Sequence, residues 1–489
     1  MQLPGRDISL VVLATALVAL FASSAARAAA VDPGDCAWPV KADPDRVNVA
    51  FPDESAHYWA TAFQVGPGGT MKIEGRFPDA RYISFHLYEG SMPVDALADV
   101  ELAPDSGVNP FVAGAARGGK ASYTLKVVAG QRPDNPEPNT LYAASLNGEP
   151  NVAGLIIYRV YLPEGDETGG AGLPKVSYGG GAGGPDTAPP LPACQRPTPV
   201  ASGTVNDQVR EIGLPAGPGE SSAPAWGISR SRPQEQQAGP VAVRTGGAFF
   251  PNFHNVYLSL LTSRAQGEAV VFRAKAPTFV RTTGTRTMGA GQVRYWSVCA
   301  NDFPTTRYVA CLADDRVKLD ADGYFTVVVS DAAHRPAQLG AGDNWLPSGP
   351  FADTFVLVRQ MLPAPDFAEA IERAPDPAQA PHTMGAFYPD TRICQVARFE
   401  RDRCGLPRAS AATPGGKAAQ RCHRRRSIAI PRGWRNVRVT VGARRARIRG
   451  RRAILDLRGL HTRSVRVRIT GRTASGRRVH ESRSVRRCA

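Results

Sequence analysis

The fold of this chain is decided by residues 250–277, which read FPNFHNVYLSLLTSRAQGEAVVFRAKAP. An earlier stretch, residues 51–78, reads FPDESAHYWATAFQVGPGGTMKIEGRFP and shares several residues with it at the same spacing. The matching pairs, all 199 residues apart, are Phe51 and Phe250, Pro52 and Pro251, Tyr58 and Tyr257, Gly68 and Gly267, and Pro78 and Pro277. This constant offset indicates an internal repeat of domain size.

The similarity continues beyond this stretch with short insertions. The further matches are Arg81-Tyr82-x-Ser84 with Arg294-Tyr295-x-Ser297, Ala98-Asp99 with Ala313-Asp314, Tyr123 with Tyr324, and Arg159-x-x-Leu162-Pro163 with Arg359-x-x-Leu362-Pro363. Their order never changes, so we interpret residues 36–163 and 240–363 as two copies of one domain.

Both copies show the period-2 alternation of β-strands. In the first copy Met71, Ile73 and Phe77 alternate with Lys72, Glu74 and Arg76. No long helical period occurs there, and Pro and Gly punctuate the gaps between strands. The pattern predicts an all-β protein with two tandem antiparallel β-sandwiches. Residues 164–239, rich in Gly and Pro, are predicted to be a linker without a core element, and residues 364–416 a Pro-rich connector.

The N-terminus has the three-part pattern of a secretory signal, predicted over residues 1–28. Arg6 precedes the apolar run Ile8–Phe21, and the small residues Ala26-Arg27-Ala28 follow it. The alternative is a retained membrane anchor, but the run is shorter than the roughly 20 residues that span a bilayer. We therefore expect a secreted or envelope-associated protein with no transmembrane span after cleavage.

Export suits the eight cysteines, because an oxidising compartment favours disulfides. Sequence proximity predicts the pairs Cys299–Cys311, Cys394–Cys404 and Cys422–Cys488, which leaves Cys36–Cys194 by elimination.

The final segment, residues 417–489, differs sharply in charge. It holds 24 basic and two acidic residues, so its net charge of +22 exceeds the +16 of the whole chain. Apolar residues alternate with Arg438, Arg466 and Arg468, which predicts a small Ig-like β-sandwich with Arg-rich outer faces. Such faces attract polyanions. The alternative is an ordinary solvated surface, since the chain contains 51 Arg and only eight Lys.

The second copy carries two distinctive motifs, Tyr295-Trp296-Ser297 and Asp343-Asn344-Trp345-Leu346-Pro347, followed by the apolar strand Phe355–Met361 with its internal Arg359. In these it resembles the bacterial β-sandwich domains of domain-of-unknown-function family 1214. The resemblance covers residues 240–363. The first copy departs from it, with Asn139-Thr140-Leu141 in place of Asn344-Trp345-Leu346. The final domain is more loosely similar to Arg-rich, Cys-closed modules of secreted actinobacterial proteins. Neither resemblance implies a known reaction.

No nucleophile elbow, zinc-protease motif, P-loop or dinucleotide-binding glycine set occurs in the sequence. The eight histidines are scattered, and for His57, His86 and His254 we favour surface or core roles over metal binding. Four Asp residues within Asp314–Asp322 suggest a turn more than a Ca²⁺ loop, because the EF-hand spacing is absent. We predict no metal and no cofactor.

Two recurring charges are predicted to be structural. Arg159 and Arg359 each interrupt an apolar strand, and an unpaired buried guanidinium is too costly. The recurring carboxylates Asp99 and Asp314 are the predicted partners, in ion pairs that hold each sandwich together.

Aromatic residues provide the candidate ligand-binding site, because aromatic faces can stack on sugar rings. The candidates are Trp345, Trp296, Tyr58 and Trp59, with core packing as the alternative for each. Trp345 is favoured because it lies in a polar turn rich in Gly and Pro, and the first copy has no tryptophan at this position. Few aromatics accompany the C-terminal Arg residues, so base-stacking recognition of nucleic acid is not expected.

These observations favour a non-enzymatic exported binding or structural protein, retained at anionic envelope polymers or lipid headgroups by its basic domain. Carbohydrate is a further expected partner. The alternative is a secreted hydrolase of polysaccharide with its site between the two copies.

Overall fold

A computed structural model gives the structure of the protein. It describes residues 36–42, 48, 50–66, 68–90, 92–180, 188–194, 198–199, 223–230, 250–407, 425–430, 434–441, 444–450, 452–456, 464–473 and 476–486. The chain divides into two compact units, residues 1–409 and residues 410–489. The predicted signal over residues 1–28 lies outside the described residues. None of the helices in the described ranges is long and apolar enough to cross a membrane.

In the part of the first copy that the structure describes there are ten strands. They are β1 (Val40–Ala42), β2 (Ala56–Gln64), β3 (Gly69–Arg76), β4 (Tyr82–Glu89), β5 (Met92–Ala98), β6 (Ser122–Ala129), β7 (Thr140–Ala143), β8 (Ala153–Tyr161), β9 (Lys175–Gly180) and β10 (Thr198–Pro199). One sheet has the order β10-β1-β2-β8-β4-β5 and the other β7-β6-β3-β9. Buried side chains of both sheets form one core, as the period-2 pattern of β3 predicts.

The described residues of the second copy form nine strands and two short α-helices. The strands are β11 (Gly227–Arg230), β12 (Asn255–Ser263), β13 (Ala269–Lys275), β14 (Tyr295–Asp302), β15 (Arg307–Ala313), β16 (Tyr324–Ser330), β17 (Asp343–Pro347), β18 (Asp353–Met361) and β19 (Asp390–Cys394). The helices are α1 (Ala380–Met384) and α2 (Val396–Asp402), and short 3₁₀ turns lie at Asp99–Glu101, Arg264–Gln266, Ile371–Arg373, Gly385–Phe387 and Arg403–Gly405.

The two copies have the same topology. The sheets of the second copy, β11-β12-β18-β14-β15 and β17-β16-β13-β19, repeat the order β1-β2-β8-β4-β5 and β7-β6-β3-β9 of the first, to which β10 adds an edge strand parallel to β1. One parallel pair recurs in both copies, because β6 runs parallel to β7 and β16 runs parallel to β17. The predicted all-β class and the internal duplication are therefore confirmed.

Equivalent side chains confirm the alignment of β7 with β17. Asn139 donates from its amide to the backbone oxygens of Ala103 and Thr124. Asn344 donates in the same way to the oxygens of Lys318 and Thr326. The turn that replaces Asn344-Trp345-Leu346 in the first copy thus keeps the asparagine that joins the strand to its neighbours.

The predicted match of Tyr123 with Tyr324 is wrong by one residue. Tyr123 is fully buried in the first core, and Phe325 fills the corresponding position in the second. Tyr324 lies on the opposite side of its strand, where Arg273 stacks over its ring. A one-residue slip exchanges the two faces of a strand, and burial therefore decides between the two alignments.

The predicted linkers contribute strands to both sandwiches, contrary to expectation. β9 lies within residues 164–239 and pairs with β3, and its Val176 is fully buried. β19 lies within residues 364–416 and pairs with β13. A Gly-rich edge strand can pair through its backbone and needs only one apolar side chain to seal the core. The amino-acid composition of these segments therefore gave no indication that they contain strands.

The C-terminal unit contains two small sheets. Its strands are β20 (Arg425–Ala429), β21 (Arg435–Val441), β22 (Arg444–Arg445), β23 (Arg447–Arg449), β24 (Arg452–Asp456), β25 (Ser464–Arg472) and β26 (Arg478–Arg486). They form the sheets β20-β24-β23 and β22-β21-β25-β26. The core includes Val439, Leu455, Val467 and Ile469, which agrees with the predicted small β-sandwich.

Three of the four predicted disulfides are present. Cys36–Cys194, Cys299–Cys311 and Cys394–Cys404 have Cα separations of 5.0, 4.1 and 6.2 Å. Cys299 and Cys311 lie directly opposite each other on β14 and β15. The predicted Cys422–Cys488 pair lies outside the described residues and stays a prediction.

Candidate functional site

The two copies contact each other along a seam of equivalent, reciprocal interactions. Arg81 of the first copy binds both carboxylate oxygens of Asp314 in the second, at 3.0 and 3.1 Å. Arg294 of the second copy binds Asp99 of the first at 3.1 Å. In each copy the same Asp also accepts a hydrogen bond from a backbone N–H of its own sheet. The four side chains are at most 8% exposed, so the two ion pairs are buried.

These pairs correct the predicted partners of Arg159 and Arg359. Ser84 on β4 is in register with both Arg159 and Ala98, so these three residues share one face of the sheet. Asp99 is the residue after Ala98 and belongs to the opposite face. Successive side chains point to opposite faces of a sheet, and Asp99 therefore cannot meet Arg159. The prediction of buried, structural charges is right, but the predicted pairing is wrong.

Arg159 and Arg359 instead reach across the seam to the backbone of the other copy. Arg159 donates to the carbonyl oxygen of Phe250 at 2.8 Å, and Arg359 donates to that of Phe51 at 2.6 Å. Arg359 also lies 3.8 Å from the carboxylate of Asp53. Phe51 and Phe250 both have a left-handed φ, near 50°. The arginines thus bind the two equivalent bends at which the copies meet.

Buried hydroxyls complete the seam. The phenol of Tyr295 donates to Asp53 at 2.9 Å, and the equivalent phenol of Tyr82 donates to Asn252 at 3.3 Å. Ser297 donates to Asp53 as well, at 2.7 Å. A buried apolar cluster surrounds these bonds, and both copies contribute to it. Its members are Ala56, Tyr82, Ala98, Tyr161, Tyr295, Ala313 and Met361.

One side of the seam carries histidines. His254 lies 2.7 Å from the hydroxyl of Tyr82 and 3.5 Å from the half-exposed carboxylate of Glu101. His86 accepts a hydrogen bond from the backbone N–H of Phe253 and is fully buried. Burial lowers the pKa of His86 well below its ordinary value, and the nearby cations lower it further. A neutral imidazole is therefore part of the folded seam.

The equivalent side carries a disulfide instead. Cys299 occupies the position of His86, and its sulfur accepts a hydrogen bond from Arg359 at 2.8 Å. Asp53 lies close to both Cys299 and Cys311, and this is the one metal-like cluster in the described ranges. Because the two sulfurs are bonded to each other, they offer no thiolate to a metal.

Burial also acts on the two ion-paired carboxyls. It raises the pKa of Asp99 to about 6, against the opposing effect of Arg294. It raises the pKa of Asp314 to about 6 in the same way, against that of Arg81. Equivalent surroundings thus give equivalent electrostatics in the two copies.

Three of the four predicted ligand-binding aromatics are used by the fold. Trp59 and Trp296 lie in the two sandwich cores and are 3% and 1% exposed, which leaves no ring surface for a ligand. Tyr58 packs on the seam cluster under the guanidinium of Arg159. For these residues the core alternative is correct, and the predicted aromatic binding face is not assembled.

Trp345 is partly buried on the outer side of β17. Its indole N–H donates to Ser330 at 2.9 Å, and Arg335 stacks over its ring at 4.5 Å. The ring packs on an apolar cluster with Phe399 of α2 and the Cys394–Cys404 disulfide. The indole therefore contacts both a cation and this apolar cluster, so Trp345 supports the packing of α2.

The Asp-rich segment of the second copy is a turn. Asp320 accepts hydrogen bonds from the backbone N–H groups of Asp322 and Tyr324, at 2.9 and 3.0 Å. Its other oxygen forms an ion pair with Arg273. The carboxylate is thus occupied by the turn itself, in agreement with the sequence interpretation.

The C-terminal sheet β22-β21-β25-β26 gathers cations on one side. Val439, Val467 and Ile469 are buried, and the intervening Arg438 and Arg468 are exposed on the opposite side. The pairing of the four strands places further arginines on this same side of the sheet. This side of the sheet, which we name the basic face, has at its register positions Arg435, Arg438, Arg445, Arg468, Arg472 and Arg478, together with Thr440, Thr470 and His480. The side chain of Arg466, the third predicted arginine, lies outside the described residues.

The register also keeps acids off the basic face. Residues 417–489 contain two acids, Asp456 and Glu481. Glu481 is in register with buried Ile469, at the opposite parity, and Asp456 is on β24 of the other sheet. Sequence reasoning found Arg438, Arg466 and Arg468 but missed Arg435, Arg445, Arg472 and Arg478. Arg472 shares the parity of Arg466 and Arg468, a signal that the sequence does contain.

Comparison with known proteins identifies no family and no activity. No protein-family model matches the chain, and no curated protein matches it. Among solved structures, an uncharacterized protein from Burkholderia cenocepacia is 16% identical, covers 81% of this chain and 91% of its own length, and has a TM-score of 0.42. A protein from Vibrio parahaemolyticus is 13% identical, with coverages of 78% and 96% and a TM-score of 0.36. The resemblance to family 1214 therefore stays a prediction.

Proposed function

We propose that the chain is an exported, non-enzymatic binding or structural protein of the cell envelope, retained at anionic surfaces by residues 417–489. The observation that carries the proposal is the basic face. A single side of a four-stranded sheet presents exposed guanidinium groups without an acid among its register positions. Such a concentration of one sign of charge attracts polyanions over long range.

The seam between the copies supports a structural role for the larger unit. A polysaccharide hydrolase with its site between the copies would need two carboxylates flanking a substrate cleft. Among the described residues of the seam, Asp53, Asp99 and Asp314 are buried and bonded to tyrosine, serine or arginine. These carboxylates hold the fold together, so the geometry favours the binding protein over the hydrolase.

Disulfides support export. Three are formed within the described residues, and they persist in oxidising compartments outside the cytoplasm. An anionic surface in that compartment is made of envelope polymers and lipid headgroups, which are the proposed partners.

Retention on isolated cell envelopes tests the proposal. The mature chain is expected to bind at low ionic strength and to be released as salt rises, because the Debye length falls from about 10 Å at 0.1 M salt to about 3 Å at 1 M. A chain ending at Gly416 keeps both sandwich cores, carries a net charge of −6 and is expected not to bind. Equal binding of the two chains, or retention unchanged in 1 M salt, would refute the proposal.

A further inference from the structure

The register of the basic face arranges its side chains in rows across the strands. Thr440 on β21 is in register with Arg445 on one side and with Arg468 on the other. In the next row Arg438 stands beside Thr470. Both rows therefore place an arginine next to a hydroxyl residue, about 4.8 Å away on the neighbouring strand.

The end of the sheet holds the densest row. Arg472 is in register with Arg435 on one side and Arg478 on the other, and all three are exposed. Successive rows along β25 are two residues apart, which corresponds to about 7 Å. The three rows at positions 472, 470 and 468 thus form a track along the strand with at least one arginine in each row.

From this track we infer that the basic face binds an extended phosphodiester-linked polyol polymer, which lies along β25 with one phosphate in each row. The inference rests on the proposed function and names the ligand of the same site. A regular spacing of cations fits a chain with a regular spacing of anions, and it gives no special advantage to a membrane of laterally mobile headgroups.

The chemistry of the row at position 468 favours phosphodiester over carboxylate. A planar carboxylate directs both oxygens to one guanidinium fork, and that fork alone then satisfies it. Tetrahedral phosphorus directs its two free oxygens apart, so one oxygen can accept from the arginine and the other from the adjacent hydroxyl. The pair Thr440 with Arg468 provides these two kinds of donor side by side. In the neighbouring row the Thr470 hydroxyl donates to the backbone oxygen of Arg438 at 3.4 Å, so Arg438 is the donor of that row.

The face also disfavours a nucleic acid that is bound through its bases. Stacking platforms for single strands are aromatic, and the register positions of the basic face include no Phe, Tyr or Trp. Trp434 packs on the core of this unit. Recognition would therefore depend on the polymer backbone alone.

Binding of the full mature chain to glycerol-phosphate oligomers of two, four and eight units tests the inference. Affinity is expected to rise steeply from two to four units, when all rows become occupied, and more slowly afterwards. The double variant R438Q/R468Q should weaken binding of the longest oligomer at least about tenfold, since each arginine contributes a charge-assisted hydrogen bond. R438K/R468K should weaken it less than the glutamine variant, because lysine keeps the charge and can still donate to one phosphate oxygen.

A matched control separates this site from net charge. Arg447 and Arg449 are exposed on β23 of the other sheet, so R447Q/R449Q removes the same charge away from the basic face and should change affinity less than about twofold. An equal loss in both double variants would overturn the inference and leave the proposed function standing. Tighter binding to phosphatidylglycerol vesicles, polygalacturonate or oligothymidylate than to the glycerol-phosphate oligomers would also overturn it. No binding to any of these polyanions at low salt would refute the proposed function itself.

Discussion

Arg81 and Asp314 lie in different copies of a duplicated domain, yet they form one buried, doubly hydrogen-bonded ion pair. A buried ion pair recurs in reverse between Arg294 and Asp99, at 3.1 Å, while the Arg294 guanidinium donates to the backbone oxygens of Arg81 and Phe111. Each copy thus supplies one arginine and one aspartate, and neither copy can satisfy its own charges. An unpaired buried charge is far more costly than a buried pair. The stability of each copy therefore depends on the other copy.

Removing one partner of such a pair should therefore be severe. R81L leaves Asp314 buried without its cation and is expected to lower the free energy of unfolding by about 3–5 kcal/mol. R81L/D314L should recover part of this loss, because the uncompensated charge is gone. Chemical denaturation followed by tryptophan fluorescence measures both. The exposed pair of Arg316 and Glu54 is the control, and R316Q is expected to cost about 0–1 kcal/mol. Similar losses in R81L and R316Q would contradict the structural role of the seam.

Acid should destabilise the seam through His86. Its pKa is lowered in the folded protein, so the unfolded chain binds the proton more tightly. The stability from the neutral imidazole is therefore fully present above the unfolded pKa of about 6.5 and decreases as pH falls below it. Asp99 and Asp314 act in the opposite direction, because their folded pKa of about 6 exceeds the unfolded value.

Comparison with H86Q isolates the histidine, since both proteins keep the two aspartates. The stability of the native protein relative to H86Q should fall between pH 7 and pH 5, by up to about 1.4 kcal/mol per pH unit. Urea denaturation at intervals of half a pH unit measures the difference. A constant difference across this range would mean that His86 does not titrate with unfolding.

The two disulfides of the copies should differ in their contribution to stability. Cys36–Cys194 closes a separation of 158 residues and Cys299–Cys311 one of only 12. Loop-closure entropy predicts a loss of about 3 kcal/mol for a short loop and nearer 5 kcal/mol for a long one. Paired serine variants, compared by chemical denaturation, test this order. Peptide mapping without reduction should also detect the predicted Cys422–Cys488 link, and an unlinked pair there would remove it from the assignment.

Much of the fold could be predicted from the sequence, because repetition and alternation are visible in it. The repeat in residues 250–277 gave the duplication, and the alternation around Arg438 and Arg468 gave the outward arginines. Parity explains what was missed. Asp99 could have been excluded as the partner of Arg159 by counting strand positions. Its true partner, Arg294, could not be found in this way, because that pairing depends on how the two copies pack. A single sequence contains no signal for that packing. The predicted aromatic binding site is wrong for a related reason. A tryptophan such as Trp59 or Trp296 looks the same in the sequence whether it packs in a core or lies on a surface.

The reciprocal seam has a consequence for the ancestry and engineering of this protein. When two identical subunits associate about a twofold axis, residue i of one meets residue j of the other and the reverse. The contacts of Arg81 with Asp314 and of Arg294 with Asp99 have this form within a single polypeptide. The larger unit thus has, within one chain, the contact pattern of an isologous homodimer, as a fusion of two identical subunits would have. In such a fusion, divergence becomes possible at positions that were once constrained to be identical, as with His86 in one half and the disulfide-bonded Cys299 in the other.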